Sequence, residues 1–371
     1  MLYEALDVVS RELVGMIPAV TLDPRSDMIA KGQTVRIPIA PDASNEDVTA
    51  GASAPTGNGD TFGDTNITIT KVRRGTPIVW TGEEELSIGS LVNPLVRDQY
   101  SQRMRSLVNE MEQDICIEAS GGAITNGNVQ GSAGTEPFAT NLNSLTAGLK
   151  MLKDNGAPQN GDYQFVMNTT AGKNLRNLTQ LQKVNEGGDN TLLRQGLLGN
   201  LFGFNLRESN GFQTHTAGDG TGYLVNGKAL KGANEITMDT GSGTFKKGDI
   251  VTFGSDTTKY VVAEDVATGG TTLKIASVLG ADVADNTAIT IGSGYLPSVG
   301  FTRGSILLAT RLPKVPANGD IALDRIVITD PVSGISFEVA LWGGAYQNTV
   351  TIASAWGVRN IKPAHSFALI G

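Results

Sequence analysis

Residues 90–120 read Ser90-Leu-Val-Asn-Pro-Leu-Val-Arg-Asp-Gln-Tyr100-Ser-Gln-Arg-Met-Arg-Ser-Leu-Val-Asn-Glu110-Met-Glu-Gln-Asp-Ile-Cys-Ile-Glu-Ala-Ser120, and Gly121-Gly122 follow. Val92, Val96, Tyr100, Met104, Leu107, Met111 and Ile115 recur at spacings of three and four, while Arg97, Asp98, Arg103, Arg105, Glu110, Glu112 and Asp114 take the other faces. That is the period of an amphipathic helix. Ser90 supplies an N-cap, Pro94 stands early enough to be tolerated, and Gly121-Gly122 predicts the stop. A helix of this length is a rod of about 45 Å, longer than a compact domain of ordinary size is wide. A coiled-coil strand would give the same stripe, but the pattern lasts only about four heptads and the flanking sequence does not continue it. The rod therefore predicts an elongated subunit.

Upstream, Leu2, Leu6, Val9, Leu13 and Ile17 form one helical stripe, ended by Pro18 and Pro24. Val35, Ile37 and Ile39 then alternate with polar residues or Pro38 in a strand whose partner is Asn66–Val72. Between them, residues 40–65 are too rich in Gly, Ala, Asp, Thr and Pro to fill a core. Residues 29–80 thus read as a two-stranded arm, and since an isolated hairpin is marginal in water, the arm is expected to rest on a neighbouring subunit. Downstream, Leu142, Leu145, Leu149 and Leu152 predict a helix, Tyr163–Met167 a strand, and Thr169–Leu181 a helix capped by Thr169 or Thr170. Residues 214–293 carry short strands at Glu235–Met238, Asp249–Phe253, Lys259–Ala263, Thr271–Ile275 and Thr287–Ile291, the spacing of a small all-β barrel or sandwich inserted in an α/β region. Phe301–Leu312 then predicts a short helix ended by Pro313. Ile321–Thr329 and Gly334–Trp342 predict a hairpin with Ile335, Phe337, Val339 and Leu341 on one face, and Thr349–Trp356 a last strand. The fold class is α+β.

Composition removes most chemistry. The chain has 371 residues, of which 46 are Gly, two are His and one is Cys. Cys116, His215 and His365 are its only soft ligands, too few for a zinc site, and a lone Cys excludes a disulfide framework. With 29 basic against 37 acidic residues the net charge is −8 and the pI about 4.9, contrary to the basic face of a nucleic-acid binder. Glu4, Asp7, Arg11 and Glu12 interrupt any apolar targeting core, and no stretch is apolar enough to span a membrane. A soluble chain, cytoplasmic where it is made, is expected. The Gly-rich run Ala217–Gly222 lacks the strand-then-helix context of a phosphate loop. His215, in the same loop between two Thr residues, reads as a solvent residue, and His365 as a packed or surface one. Glu83-Glu84-Glu85 reads as a solvated run or a contact to a neighbour's basic residues. Arg73-Arg74, in the arm, suits bidentate pairing with another chain's carboxylates. Arg36 and, at a hairpin tip, Asp256 and Lys259 complete the expected inter-subunit contacts. No catalytic constellation, cofactor site or metal site is predicted.

Two stretches carry a resemblance: Gly300-Phe-Thr-Arg-Gly-Ser-Ile-Leu-Leu-Ala-Thr-Arg-Leu-Pro313 and Ser354-Ala-Trp-Gly-Val-Arg-Asn-Ile-Lys-Pro363. With the order of elements, they make the chain resemble the major capsid proteins of tailed phages with the Hong Kong 97-like fold, most closely short-tailed phage coats with an inserted β-barrel. The resemblance implies an N-terminal arm at 1–28 and an extended β-hairpin loop at 29–80. It implies a peripheral domain at 81–140 and 345–371 with 90–120 as spine helix, an axial domain at 141–213 and 294–344, and an inserted domain at 214–293. It further implies self-assembly into pentamers and hexamers of an icosahedral shell around double-stranded DNA, held without sequence-specific binding. Scaffolding and portal proteins would be partners, with no membrane, and the virion would be assembled in the host cytoplasm. Two other readings remain open from the residues: an extracellular adhesin or surface-layer protein, and an enzyme whose pocket gathers Asp162, His215 or His365.

Overall fold

The computed structural model describes residues 15–39, 63–88, 92–159, 162–182, 199–331 and 333–371. Of the helical stripe expected over residues 2–17, all but Ile17, which begins a 3-10 turn, lies outside them, as do most of the arm tip and the Ser90 cap.

The long helix runs Val92–Thr125, past the expected stop at Gly121-Gly122. Gly122 marks a close approach: a Cβ there would stand 2.5 Å from Asn360 Nδ2. The stop comes at Gly127, whose φ of +77° suits glycine. Its N–H donates to the Ile124 carbonyl (2.9 Å) and the Asn128 N–H to that of Ala123 (3.0 Å), the paired bonds of a Schellman ending.

Met104, Leu107, Met111 and Ile115, joined by Val108, Cys116 and Ala119, pack the helix on one face of a seven-stranded sheet. Val96 and Tyr100 are half-buried nearer its start. The hub of the sheet is the 14-residue strand Gln347–Asn360. It pairs antiparallel with Ile306–Pro313, Ser336–Gly344, Lys71–Arg74 and Ile78–Thr81. Thr21–Ile29 joins Ile306–Pro313 in parallel, and Ala322–Thr329 forms an outer strand beside Ser336–Gly344. Ile335, Phe337 and Val339 are buried on the helix side, as their alternation predicts.

The helix expected over Phe301–Leu312 is instead strand Ser298–Thr302, a 3-10 turn Arg303–Ser305 and strand Ile306–Pro313. The misreading has a cause. Ile306 and Leu308 face the helix core, while Leu307 and Ala309 are buried on the other side, and a strand buried on both faces shows no alternation.

The arm is also shorter than 29–80. Its ribbon pairs Thr34–Ile39 with Gly63–Thr68, whereas Lys71–Arg74 and Ile78–Thr81 belong to the large sheet. Ile67 and Ile69, both fully buried, lie against Leu307, Ala309 and Ala355. The root of the ribbon thus rests on its own sheet, and the expected neighbour is not needed to cover it.

A second core lies under a six-stranded sheet in which Ser298–Thr302 runs between Ser366–Ile370 and Tyr163–Met167. The helices Asn143–Asp154 and Thr169–Asn177 cover it. The cap of the latter is Asn168, not Thr169 or Thr170; its Oδ1 accepts from the Ala171 N–H at 2.8 Å. Residues 214–293 build two three-stranded sheets around a separate core containing Tyr223, Phe245, Phe253 and Tyr260.

The ring of Phe367 is gripped between Gly148 and Gly300, where an added Cβ would come within 2.2 Å of it in each case. Gly300→Ala is expected to destabilise the fold by about 2 kcal/mol through overpacking. Gly304→Ala, which meets nothing within 4 Å, should stay within about 0.5 kcal/mol of the parent. Denaturant melts of the two variants check both values.

Candidate assembly surface

The pairing register assigns every side chain of the hub region to one of two faces. Lys71 lies opposite Trp356 and Arg73 opposite Ser354, so both point to the long helix. Lys71 Nζ reaches Glu110 Oε1 (2.9 Å) and Asp114 Oδ1 (2.8 Å), and Arg73 Nε reaches the same Glu110 oxygen (3.0 Å). Asp114 also accepts the indole N–H of Trp356 at 2.8 Å. Expected to contact another chain, Arg73 is thus engaged within its own, although its side chain remains about half exposed. Arg74 is opposite Ala353 and points to the other face. It is exposed and makes no ion pair with a described residue.

The acidic run forms a short helix, Gly82–Ile88, in which Glu83, Glu84 and Glu85 are all exposed. Thr81 and Glu84 close a capping box: Glu84 Oε2 accepts from the Thr81 N–H (3.1 Å), and Thr81 Oγ1 accepts from the Glu84 N–H (3.3 Å). Arg36 is exposed on the ribbon opposite Asn66. Asp256 and Lys259 do not form a free tip. Asp256 accepts from the Thr258 N–H at 2.9 Å, and Lys259 reaches the Gly131 carbonyl and Ser132 Oγ of the neighbouring core. Burial lowers the Lys259 pKa.

His215 is not a solvent residue. Its Nε2 lies 2.8 Å from Asp249 Oδ1, its ring packs against Tyr295 with centroids 4.9 Å apart, and the Asp249 side chain is wholly buried. Asp249 also accepts from the backbone N–H groups of Gly218 (3.1 Å) and Lys246 (2.7 Å). The Gly-rich run is therefore one side of a joint, and Tyr295 Oη, donating to the Gly248 carbonyl at 2.8 Å, is the other. Burial first, then the Asp249 charge, pushes the Tyr295 pKa up.

The three residues named for an enzyme pocket have separate neighbours. Asp162 faces Gln164 and Arg303, His215 faces Asp249, and His365 lies against the Asn155 backbone. Among the described residues no three His, Cys, Asp or Glu are placed to share a metal, and no helix is long and apolar enough to cross a membrane.

Sequence reading missed Glu112. It is buried beneath the chain's entry segment, where Oε1 accepts from the Met16 N–H (2.6 Å) and Ser209 Oγ (2.7 Å), and Oε2 from the Ile17 N–H (3.0 Å). Burial raises its pKa against the pull of those donors. A carboxylate on the helix's polar side gives no sequence sign of burial. Missed too were Trp342, Arg325 and Lys314 on the sheet's outer face.

No family model matches the sequence, and no curated protein matches it. The chain is similar to solved phage capsids. The asymmetric unit of the bacteriophage PhiM1 mature capsid has 12% identity and a TM-score of 0.49, over 95% of this chain and 85% of that one. The capsid of cyanophage P-SCSP1u has 14% identity and a TM-score of 0.48, over 95% and 86%. The capsid of the native GTA particle has 11% identity and a TM-score of 0.47, over 97% and 90%.

The Lys71 cluster gives a pH signature. Burial is the largest influence on Glu110, working upward, but the Lys71 and Arg73 bonds and charges outweigh it and hold its carboxyl below 4.5. Burial likewise lowers Lys71, and the two carboxylates reverse that and raise it above 10.5. The carboxylate's contribution is present above pH 4.5 and lost as pH falls through its depressed folded value. The lysine's is present below 10.5 and lost as pH rises through its elevated one. Lys71→Met should therefore lower unfolding free energy by about 1 kcal/mol at neutral pH, given partial solvent screening. The deficit should shrink at both extremes, as denaturant melts across pH will read.

Proposed function

We propose that this chain is a structural subunit without catalytic activity, a major capsid protein that assembles with copies of itself into the shell of a virion. One observation carries the reading: large apolar side chains stand in solvent along a sheet edge and the tips around it. Ile321 is 87% exposed, Leu323 67%, Leu86 86% and Tyr346 96%. A lone exposed leucine is ordinary, but a set along one sheet edge, its turn and the adjoining helix marks contact surface. Different patches meeting head to tail make heterologous contacts, which close into rings when the rotation allows.

In this reading the resemblance of the Gly300–Pro313 and Ser354–Pro363 stretches supplies the architecture. The residues before Thr21–Ile29 form an N-terminal arm, and the ribbon of Thr34–Ile39 and Gly63–Thr68 carries an extended loop toward an adjacent subunit. The long helix with the seven-stranded sheet makes the peripheral domain, the six-stranded sheet with its two covering helices the axial domain, and 214–293 the inserted domain. Pentamers and hexamers then tile an icosahedral shell that encloses double-stranded DNA without reading its sequence. Scaffolding and portal proteins assist, and assembly takes place in the host cytoplasm. The net charge of −8 suits a wall that does not grip the packaged polymer.

Negative-stain electron microscopy with size-exclusion chromatography tests the proposal. Shells, polyhedral fragments or rings of five and six are expected; a monomer at every concentration overturns it. Ile321→Asp with Leu323→Asp should cut the assembled fraction about tenfold and leave the melting temperature within about 2 °C, because both side chains are already in water.

A further inference from the structure

The outer face of the seven-stranded sheet holds a groove of about 300 Å³. Its floor is Trp342, whose Nε1–H donates to Thr351 Oγ1 at 2.9 Å. The Arg325 guanidinium lies over the indole, 5.4 Å from the ring centroid. Arg325 is already matched, because it pairs with both Asp320 and Glu338. Besides Arg73, which pairs with Glu110, two further cations line the groove: Arg74 from the strand beside the hub and Lys314 just after Ile306–Pro313. Both are exposed, and neither makes an ion pair with a described residue. Pro313 and Pro316 complete an apolar lining between them. The groove is thus an aromatic and proline floor with two positive charges beside it that no described residue pairs.

The acidic helix Gly82–Ile88 presents the converse. Helical residues advance about 100° per position, so Leu86 falls between Glu85 on one side and Glu83 on the other. Glu84 is turned away, toward its capping bonds with Thr81. The outward face is one leucine, 86% exposed, flanked by two carboxylates that make no ion pair with a described residue.

We propose that the groove receives the acidic helix of a second copy of this chain, with Leu86 against Trp342 and the prolines, and Glu83 and Glu85 against Arg74 and Lys314. The observation behind it is complementarity of both kinds at once, apolar centre to apolar floor and two anions to two cations. Knob and groove lie on different parts of the subunit, so the contact is heterologous and propagates from copy to copy. The inference rests on the self-assembly reading and names one of its contacts.

Charge exchange tests it. Arg74→Glu with Lys314→Glu, and separately Glu83→Lys with Glu85→Lys, should each raise the concentration needed for assembly about tenfold. Each should leave circular dichroism unchanged, since all four side chains stand at the surface. The fourfold variant, with the charges exchanged across the contact, should recover to within about threefold of the parent. Leu86→Ser should weaken assembly without altering its salt dependence, whereas parental assembly should weaken as salt screens the charges. The proposal is overturned if either double variant assembles like the parent, or if the fourfold variant is as defective as the doubles while remaining folded. A parent chain that stays monomeric under all conditions overturns the self-assembly reading itself, and this contact with it.

Discussion

The seating of the long helix on the hub strand is the constraint from which the rest follows. Trp356, wholly buried, lies between the two elements and is tied by its indole N–H to Asp114 on the helix. Full burial of such a side chain stabilises by roughly 1.5–3 kcal/mol, and the bond to a charged acceptor adds directionality. Lys71 locks the same carboxylate to the adjoining strand. Once helix and strand are joined in this register, the partners of the hub strand are all fixed, because each pairs with it directly.

That seating also determines which surfaces remain open. One face of the sheet is consumed by the helix, and part of the other by Ile67 and Ile69 at the root of the ribbon. What is left over is the outer strand Ala322–Thr329, the tip at Tyr346, and the groove floored by Trp342. Two of the chain's buried carboxylates, Glu112 and Asp249, accept backbone N–H bonds and hold segments in place. Buried carboxylates satisfied by fixed donors in this manner organise structure, since every lone pair they use is one a substrate cannot reach.

Much of the body was legible because its signals are local. The stripe Met104, Leu107, Met111, Ile115 recurs at helical period, and the alternation of Ile335, Phe337 and Val339 puts one set of side chains into the core. The short strands of 214–293 were legible from turn spacing for the same reason. Where reading failed, packing from distant sequence had decided. Ile306–Pro313 is a strand because both its faces are covered, and Gly122 sits within a helix because Asn360 needs the space.

The candidate surface divides along the same line. The sequence by itself placed carboxylates at 83–85 and cations at 73–74. Tertiary structure alone decided what they do. Arg73 and Arg74 are adjacent in sequence, and a strand sends adjacent side chains to opposite faces. Arg73 therefore bonds Glu110 under the sheet, and Arg74 stands above it beside Lys314 and Trp342, with no ion pair to a described residue. Periodicity fixes which side chains share a face, because it depends on neighbours a few residues away. Which face is covered depends on chain segments more than 200 residues apart, as with Asp114 and Trp356, and no local pattern carries that distance.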